Sequence, residues 1–210
     1  AGMQLRFWLH QNELGSCQLP LFGAHNAMNA AAAVATGLEL GLDFDQISRA
    51  LVCFGGVGRR LEQKGEVGGV LVVDDYGHHP TELGVTIQAL RESFDRRLVV
   101  VFQPHRYTRT RDHYEAFAQV LAAADEVGIL PIYEASEEPI EGVDSELIAS
   151  RLEKEHARPV KRLQSLDEAV EWAKQTARPG DLWLTQGAGD ITHLAELLMR
   201  ALAERSEDES

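Results

Sequence analysis

At 210 residues, with 44% hydrophobic and 25% charged side chains, the chain is long enough for one large domain or two smaller ones with a real core. Its formal net charge of −13 makes it a poor candidate for nucleic-acid binding, so any basic residues that matter must act locally. No apolar run approaches the ~20 residues of a membrane span, no signal peptide opens the chain, and Cys17 and Cys53 form neither a CxxC nor a cluster; they read as two reduced, partly buried thiols of a cytoplasmic protein.

Short strand-like pieces over 4–9 and 18–22 come first. His25-Asn26 then opens an Ala-rich helix over 26–40, with Gly41 as its stop, and Asp43 or Asp45 caps a second helix through Phe54. Gly55-Gly56-Val57-Gly58 is a flexible break, and a domain boundary is expected there. Segments 61–67 and 70–74 read as strands about the turn Gly68-Gly69. A helix follows over 80–93, with Pro80 in its first turn. Strands over 98–103, 127–133, 159–162 and 181–185 then alternate with helices over 112–124, 145–155, 166–177 and 191–204. That alternation predicts an α/β protein with a mostly parallel, doubly wound sheet and every strand-to-helix loop on one rim. The end, 206–210, is expected to be an acidic, solubilising tail.

The densest chemistry lies where two apolar runs stop, at Asp74-Asp75-Tyr76-Gly77-His78-His79-Pro80 and at His105-Arg106-Tyr107-Thr108-Arg109-Thr110-Arg111. In a sheet of this kind ligands bind at such strand ends, so two of them side by side predict a cationic pocket edged by carboxylates. Asp74 and Asp75 can hold a metal, a ribose diol or a neighbouring Arg, or cap the next turn. Asp75 could also face Arg60 across a cleft. Adjacent His78 and His79 point apart, so they suit a ligand hydrogen bond and a helix cap better than one shared ion; no metal site is expected. Three Arg in one loop point to a carboxylate or phosphate, or else to salt bridges with the many acidic residues. Gln186-Gly187-Ala188-Gly189 is a poor dinucleotide fingerprint because Thr192 replaces the third glycine; it reads as a tight turn at the same rim. Asn26 and Asn29 share a helix face, which fits adenine reading and N-capping equally.

Taken in order, His25-Asn-x-x-Asn29, Gly56-Val-x-Arg-Arg60, Asp74-Asp-Tyr-Gly-His-His-Pro80, Phe102-Gln-Pro-His-Arg-Tyr-Thr-Arg-Thr110 and Gln186-Gly-Ala-Gly189 resemble the Mur ligases over almost the whole chain. Within the family they are most similar to the members that add L-alanine to UDP-N-acetylmuramate. The resemblance implies an ATP-dependent, amide-forming ligase of peptidoglycan synthesis, with a UDP-sugar domain, a central P-loop ATPase domain and a Rossmann-like amino-acid domain. In that reaction ATP phosphorylates the sugar carboxylate and the alanine amine attacks the acyl phosphate. No G-x-x-x-x-G-K-[ST] occurs here. The resemblance therefore implies that residues 1–58 end the central domain and 59–205 form the third. The fragment is then inactive alone and binds no cofactor tightly, while the intact enzyme uses ATP and Mg²⁺. It further implies His25, Asn26 and Asn29 at adenine, Arg60 at the phosphates and Asp75 near the ribose, the last two as catalytic residues. Tyr76, His78 and His105 would shape the alanine pocket, and Arg106 and Arg109 would bind its carboxylate. Neither nucleic acid nor membrane is an implied partner. The other readings are a non-catalytic amino-acid or nucleotide module and a metal-dependent phosphoesterase.

Overall fold

The computed structural model describes residues 2–208. The chain divides into two units, one running to Gly58 and including Gln88–Phe94, the other made of Arg59–Ile87 and Asp95 onward.

In the first unit, β1 (Met3–Leu9) and β2 (Asn12–Leu19) form an antiparallel hairpin. The second strand begins at Asn12 rather than at Gln18, because His10 takes a φ of 54° and closes a two-residue turn. Phe7, Cys17 and Leu19 pack on Ala30 and Val34 of α1 (Ala24–Glu39) and on Ile47 of α2 (Phe44–Val52). Cys17 is buried and Cys53 exposed, so the two thiols are not alike as expected. Gly41 ends α1 as the sequence predicts. It has a φ of 83°, its N–H donates to Leu38 O at 3.0 Å and the Leu42 N–H donates to Gly37 O at 3.0 Å, the paired bonds of a Schellman stop. Asp43 caps α2 by accepting from Gln46 N at 2.8 Å, while its own N–H donates to the Gln46 side chain at 3.0 Å.

The second unit contains β3 (Glu62–Val67), β4 (Val70–Asp75), the part of α3 (Pro80–Ser93) up to Ile87, β5 (Arg97–Phe102), α4 (Tyr107–Leu121), β6 (Glu126–Ile129), α5 (Glu146–His156), β7 (Val160–Arg162), α6 (Leu166–Thr176), β8 (Asp181–Gln186), a 3₁₀ turn (Asp190–His193) and α7 (Leu194–Asp208). The strand order is β3-β4-β8-β5-β6-β7, with β3 antiparallel and the other pairings parallel. Helices cover both faces, so the expected Rossmann-like class holds. On one face Val72, Val99, Val101 and Trp183 meet Trp172 of α6 and Leu198 of α7. On another part of the sheet Phe102 packs on Phe117 of α4, with ring centroids 5.0 Å apart. Such two-sided burial explains why β4 and β8 are apolar runs without alternation.

Three expectations change here. The ends of β4 and β5 are not neighbours, because β8 lies between them. α4 starts at Tyr107 instead of Asp112, so Arg109 and Arg111 are helical rather than in a loop. β6 stops at Ile129; Pro131 has no N–H to donate, and only an isolated bridge between His105 and Tyr133 continues the pairing. In addition, α7 runs to Asp208, so 206–208 of the expected tail are helical and 209–210 lie outside the described residues. Among the described residues no helix is long and apolar enough to cross a membrane.

Candidate functional site

β4, β8 and β5 deliver Asp74-Asp75, Gln186-Gly187 and Gln103 to one rim of the second unit. Asp74 is 2% exposed, and its carboxylate accepts from Arg59 Nε at 2.8 Å and from Thr185 Oγ1 at 2.6 Å. Asp75 is 4% exposed and accepts from Leu61 N at 2.8 Å, Gly77 N at 2.8 Å and Gln186 Nε2 at 2.7 Å. Its oxygens are thus committed to holding the strand ends together. Among the described residues Asp75 makes no contact with Arg60, against the expectation that the two face each other. Arg59, not Arg60, is the arginine on this carboxylate pair, and it also donates to Gly187 O at 2.7 Å. The Arg60 side chain is 52% exposed, 3.8 Å from Glu82, and its guanidinium lies over the Tyr76 ring at 5.6 Å.

The two adjacent histidines do point apart. His79 Nδ1 accepts from Thr81 N at 3.3 Å and so caps α3, and its ring meets His113 edge-on at 5.0 Å. Glu82 accepts the backbone N–H groups of His78 and His79 at 2.9 and 3.1 Å, and these bonds, with nearby positive charge, hold its carboxyl below the usual range against the effect of burial. His78 turns the other way. Its Nδ1 lies 3.2 Å from Tyr76 O, and a carbonyl only accepts, so the proton sits on that nitrogen. A row of rings results: Tyr76 to His78 at 5.1 Å, His78 to His105 at 5.2 Å, His105 to Tyr133 at 5.6 Å. Among the described residues, no three His, Cys, Asp or Glu side chains converge as a metal cage would.

The arginines separate into different environments. Arg111 pairs with Asp112 at 2.8 Å, and Arg106 lies 3.9 Å from Glu137. Glu137 in turn accepts from Thr108 N at 3.0 Å and Thr108 Oγ1 at 2.6 Å, at the first turn of α4, where helix N–H groups favour a carboxylate. Arg109 Nη1 instead contacts His105, at its carbonyl and at Nδ1, and forms no ion pair with a carboxylate among the described residues. Burial first, then the charges of His78, Arg109 and Arg106, push the His105 imidazolium down to about 4. His105 is therefore a neutral acceptor at pH 7. Arg106 has a φ of 76°, a backbone state that costs a non-glycine residue about 1–3 kcal/mol. It is held there by donating its N–H to Tyr133 O at 2.8 Å while its carbonyl accepts from Thr110 N at 3.1 Å.

The glycines at 187 and 189 have a packing reason. A Cβ on Gly189 would sit 2.5 Å from Gln103 Oε1 and 2.5 Å from Tyr133 Cγ, and one on Gly187 would sit 2.8 Å from Gln103 O. Gln103 Oε1 accepts from Ile191 N at 3.0 Å and Gln103 Nε2 donates to Asp190, which fastens the β8 turn to β5. Arg59, Gln103, Tyr133 and Glu137 are absent from the sequence-derived site. Tyr133 had one available signal, a ring placed after the third parallel strand of the series.

In the first unit, Gly23 is the N-cap of α1, so neither Asn26 nor Asn29 caps it. Asn26 Nδ2 donates to Phe22 O at 2.8 Å, its Oδ1 accepts from Asn29 Nδ2 at 3.4 Å, and Asn29 is exposed. The His25 ring packs over Gly23, where a Cβ would lie 2.7 Å from it.

Comparison with known proteins bears on this rim directly. The family profile described as "Mur ligase, glutamate ligase domain" matches residues 59–189. UDP-N-acetylmuramate–L-alanine ligase of Desulfosudis oleivorans is 50% identical over 187 residues, covering 89% of this chain and 41% of that protein. The protein of the same name from Desulfatibacillum aliphaticivorans is 45% identical, over 93% of this chain and 43% of its own length. Among solved structures, UDP-N-acetylmuramate-alanine ligase MurC of Thermotoga maritima superposes with a TM-score of 0.75 at 29% identity, over 93% of this chain and 40% of that one. The chain thus spans about two-fifths of the length of the curated relatives it matches. The profile match takes in the whole aromatic and arginine-lined rim and more than half of the sequence, and the chain belongs to the Mur ligase family.

Proposed function

We propose that the chain is the C-terminal portion of an ATP-dependent ligase that joins L-alanine to UDP-N-acetylmuramate through an acyl phosphate, in cytoplasmic peptidoglycan synthesis on which cell shape and division depend. Residues 1–58 would end the ATP-binding domain, with His25, Asn26 and Asn29 toward adenine. Residues 59–205 would form the amino-acid domain. ATP and Mg²⁺ would be held mainly by parts of the longer polypeptide, with Arg60 approaching the phosphates.

The observation that carries the reading is Arg109, a helical guanidinium oriented by a neutral histidine and, among the described residues, unmatched by any ion-paired carboxylate. A carboxylate ligand would complete it with charge-assisted hydrogen bonds. Arg106, exposed beside it, supplies a second cation, and Tyr76, His78 and His105 wall the space. Fixing the amino-acid carboxylate there would leave the amine to be aimed at an acyl phosphate, a gain by orientation. Asp75 would tether the rim and lie toward the ribose.

Two assays of the 210-residue chain test the reading. L-alanine binding by calorimetry is expected, with no ATP hydrolysis, since the chain has no phosphate-cradling loop to stabilise the transferring group. Absence of L-alanine binding, or ATP turnover abolished by Arg60→Ala, would overturn it.

A further inference from the structure

Tyr133 belongs to two features of the second unit at once. It ends the row of rings, lying nearly parallel to His105 at an interplanar angle of 20°. It also lines a cleft of about 490 Å³, shared with Gln103, Leu130, Ile132, Glu134 and Asp190. That volume is in the range of small-molecule sites, roughly 300–1,000 Å³. None of Tyr76, His78, His105 or Arg109 lines the cleft, so within the row of rings Tyr133 is the member that borders it. Its backbone is pinned on both sides: the Tyr133 N–H donates to Pro104 O at 2.8 Å and the Arg106 N–H donates to Tyr133 O at 2.8 Å. Gly189 stands so close that a Cβ there would be 2.5 Å from Tyr133 Cγ. The backbone is therefore fixed, the base of the side chain packs against Gly189 and one face of the ring stacks on His105.

We propose that Tyr133 determines substrate specificity by closing the pocket beside His105 and Arg109 to all but short side chains, separating it from a cleft that suits a long one. The proposal rests on the amino-acid reading above. Arg109 and the Tyr133 ring both contact His105, so an amino acid anchored by its carboxylate at Arg109 and extending along the row of rings would meet the Tyr133 ring at its end. Past the ring, Leu130 and Ile132 offer apolar walls, and Glu134 and Asp190 offer carboxylates. A side chain with an apolar stem and a basic end matches that lining.

The test is calorimetric titration of the 210-residue chain with L-alanine, L-norleucine and L-lysine, using the unchanged chain, Tyr133→Ala and Tyr133→Phe. Tyr133 is 39% exposed, so truncation should leave the fold intact, and thermal unfolding checks this. The unchanged chain and Tyr133→Phe are expected to favour L-alanine over both long amino acids by about tenfold or more. In Tyr133→Ala that preference should collapse, with L-lysine gaining more than L-norleucine. Should Tyr133→Ala prove unfolded, Tyr133→Leu, which lowers the partition without removing it, should give an intermediate preference. An unchanged preference in the folded truncation, or the same change in Tyr133→Phe, overturns the partition and leaves the amino-acid reading standing. Binding of none of the three ligands by the unchanged chain overturns that reading and the partition with it.

Discussion

Arg109 Nη1 lies 3.1 Å from the carbonyl oxygen of His105 and 3.2 Å from its Nδ1. A guanidinium can only donate, so this nitrogen is the acceptor and the ring proton sits on Nε2. The geometry requires a neutral imidazole, which agrees with a pKa pushed down to about 4 by burial and by the cations around it.

The sign of the resulting pH effect is fixed. The unfolded chain binds a proton at His105 near the ordinary 6.5, the folded chain only near 4. Stability contributed here is fully present above 6.5 and is lost as pH falls toward 4. Urea midpoints measured between pH 6.5 and 4 should decline less steeply in His105→Gln than in the unchanged chain. Parallel curves would remove His105 from the account.

Arg109→Lys keeps the charge but loses the fork. It should weaken L-alanine binding by about tenfold, and Arg109→Ala by more, with little change in melting temperature. A large drop in melting temperature in both variants would return the guanidinium to a structural role.

Arg59 and Arg60 adjoin in sequence and should behave oppositely. Arg59→Ala strips the partner from a carboxylate that is 2% exposed and should cost about 3 kcal/mol by urea unfolding. Arg60→Ala breaks only an exposed 3.8 Å pair and should cost under about 1 kcal/mol, while weakening nucleotide binding in the longer ligase. Equal destabilisation by the two would contradict the pairing described.

Gly189→Ala should destabilise by about 1–3 kcal/mol, because the methyl group meets Gln103 and Tyr133 at 2.5 Å. Gly55→Ala is the control: nothing lies within 4 Å of its Cβ position, and its φ is not positive. It should be neutral or slightly stabilising. A neutral Gly189→Ala would mean that the β8 turn is looser than its packing implies.

Local signals in the sequence were readable wherever one residue type answers one backbone demand. Gly41 and Gly68-Gly69 sit at positive φ, Asp43 completes a capping box, and the strand–helix alternation gives the fold class. Pairing order was not readable, because parallel strands buried on both faces share one apolar composition; β8 could not be placed between β4 and β5 that way. The site was legible in its residue types and less so in its partners. Asp75 and Arg60 looked matched by position, yet the neighbouring Arg59, at a φ of 58°, is the residue turned toward the carboxylates. Arg106 looked like ordinary loop, and only the bridge from His105 to Tyr133 shows why it is strained and where α4 begins.

The central place of β8 also sets a timetable. Thr185 and Asp74, joined at 2.6 Å, are separated by 111 residues, so this contact forms only after the intervening chain exists. During synthesis β3–β4 and β5–β6–β7 are complete first, as two half-sheets whose facing edges wait for a strand still to be made. Each open edge is a template for pairing with another nascent chain. Ribosomes that stall or stop before Asp181 would therefore release a protein prone to clumping, whereas the closing residues turn the same surface into the best-protected interior of the molecule.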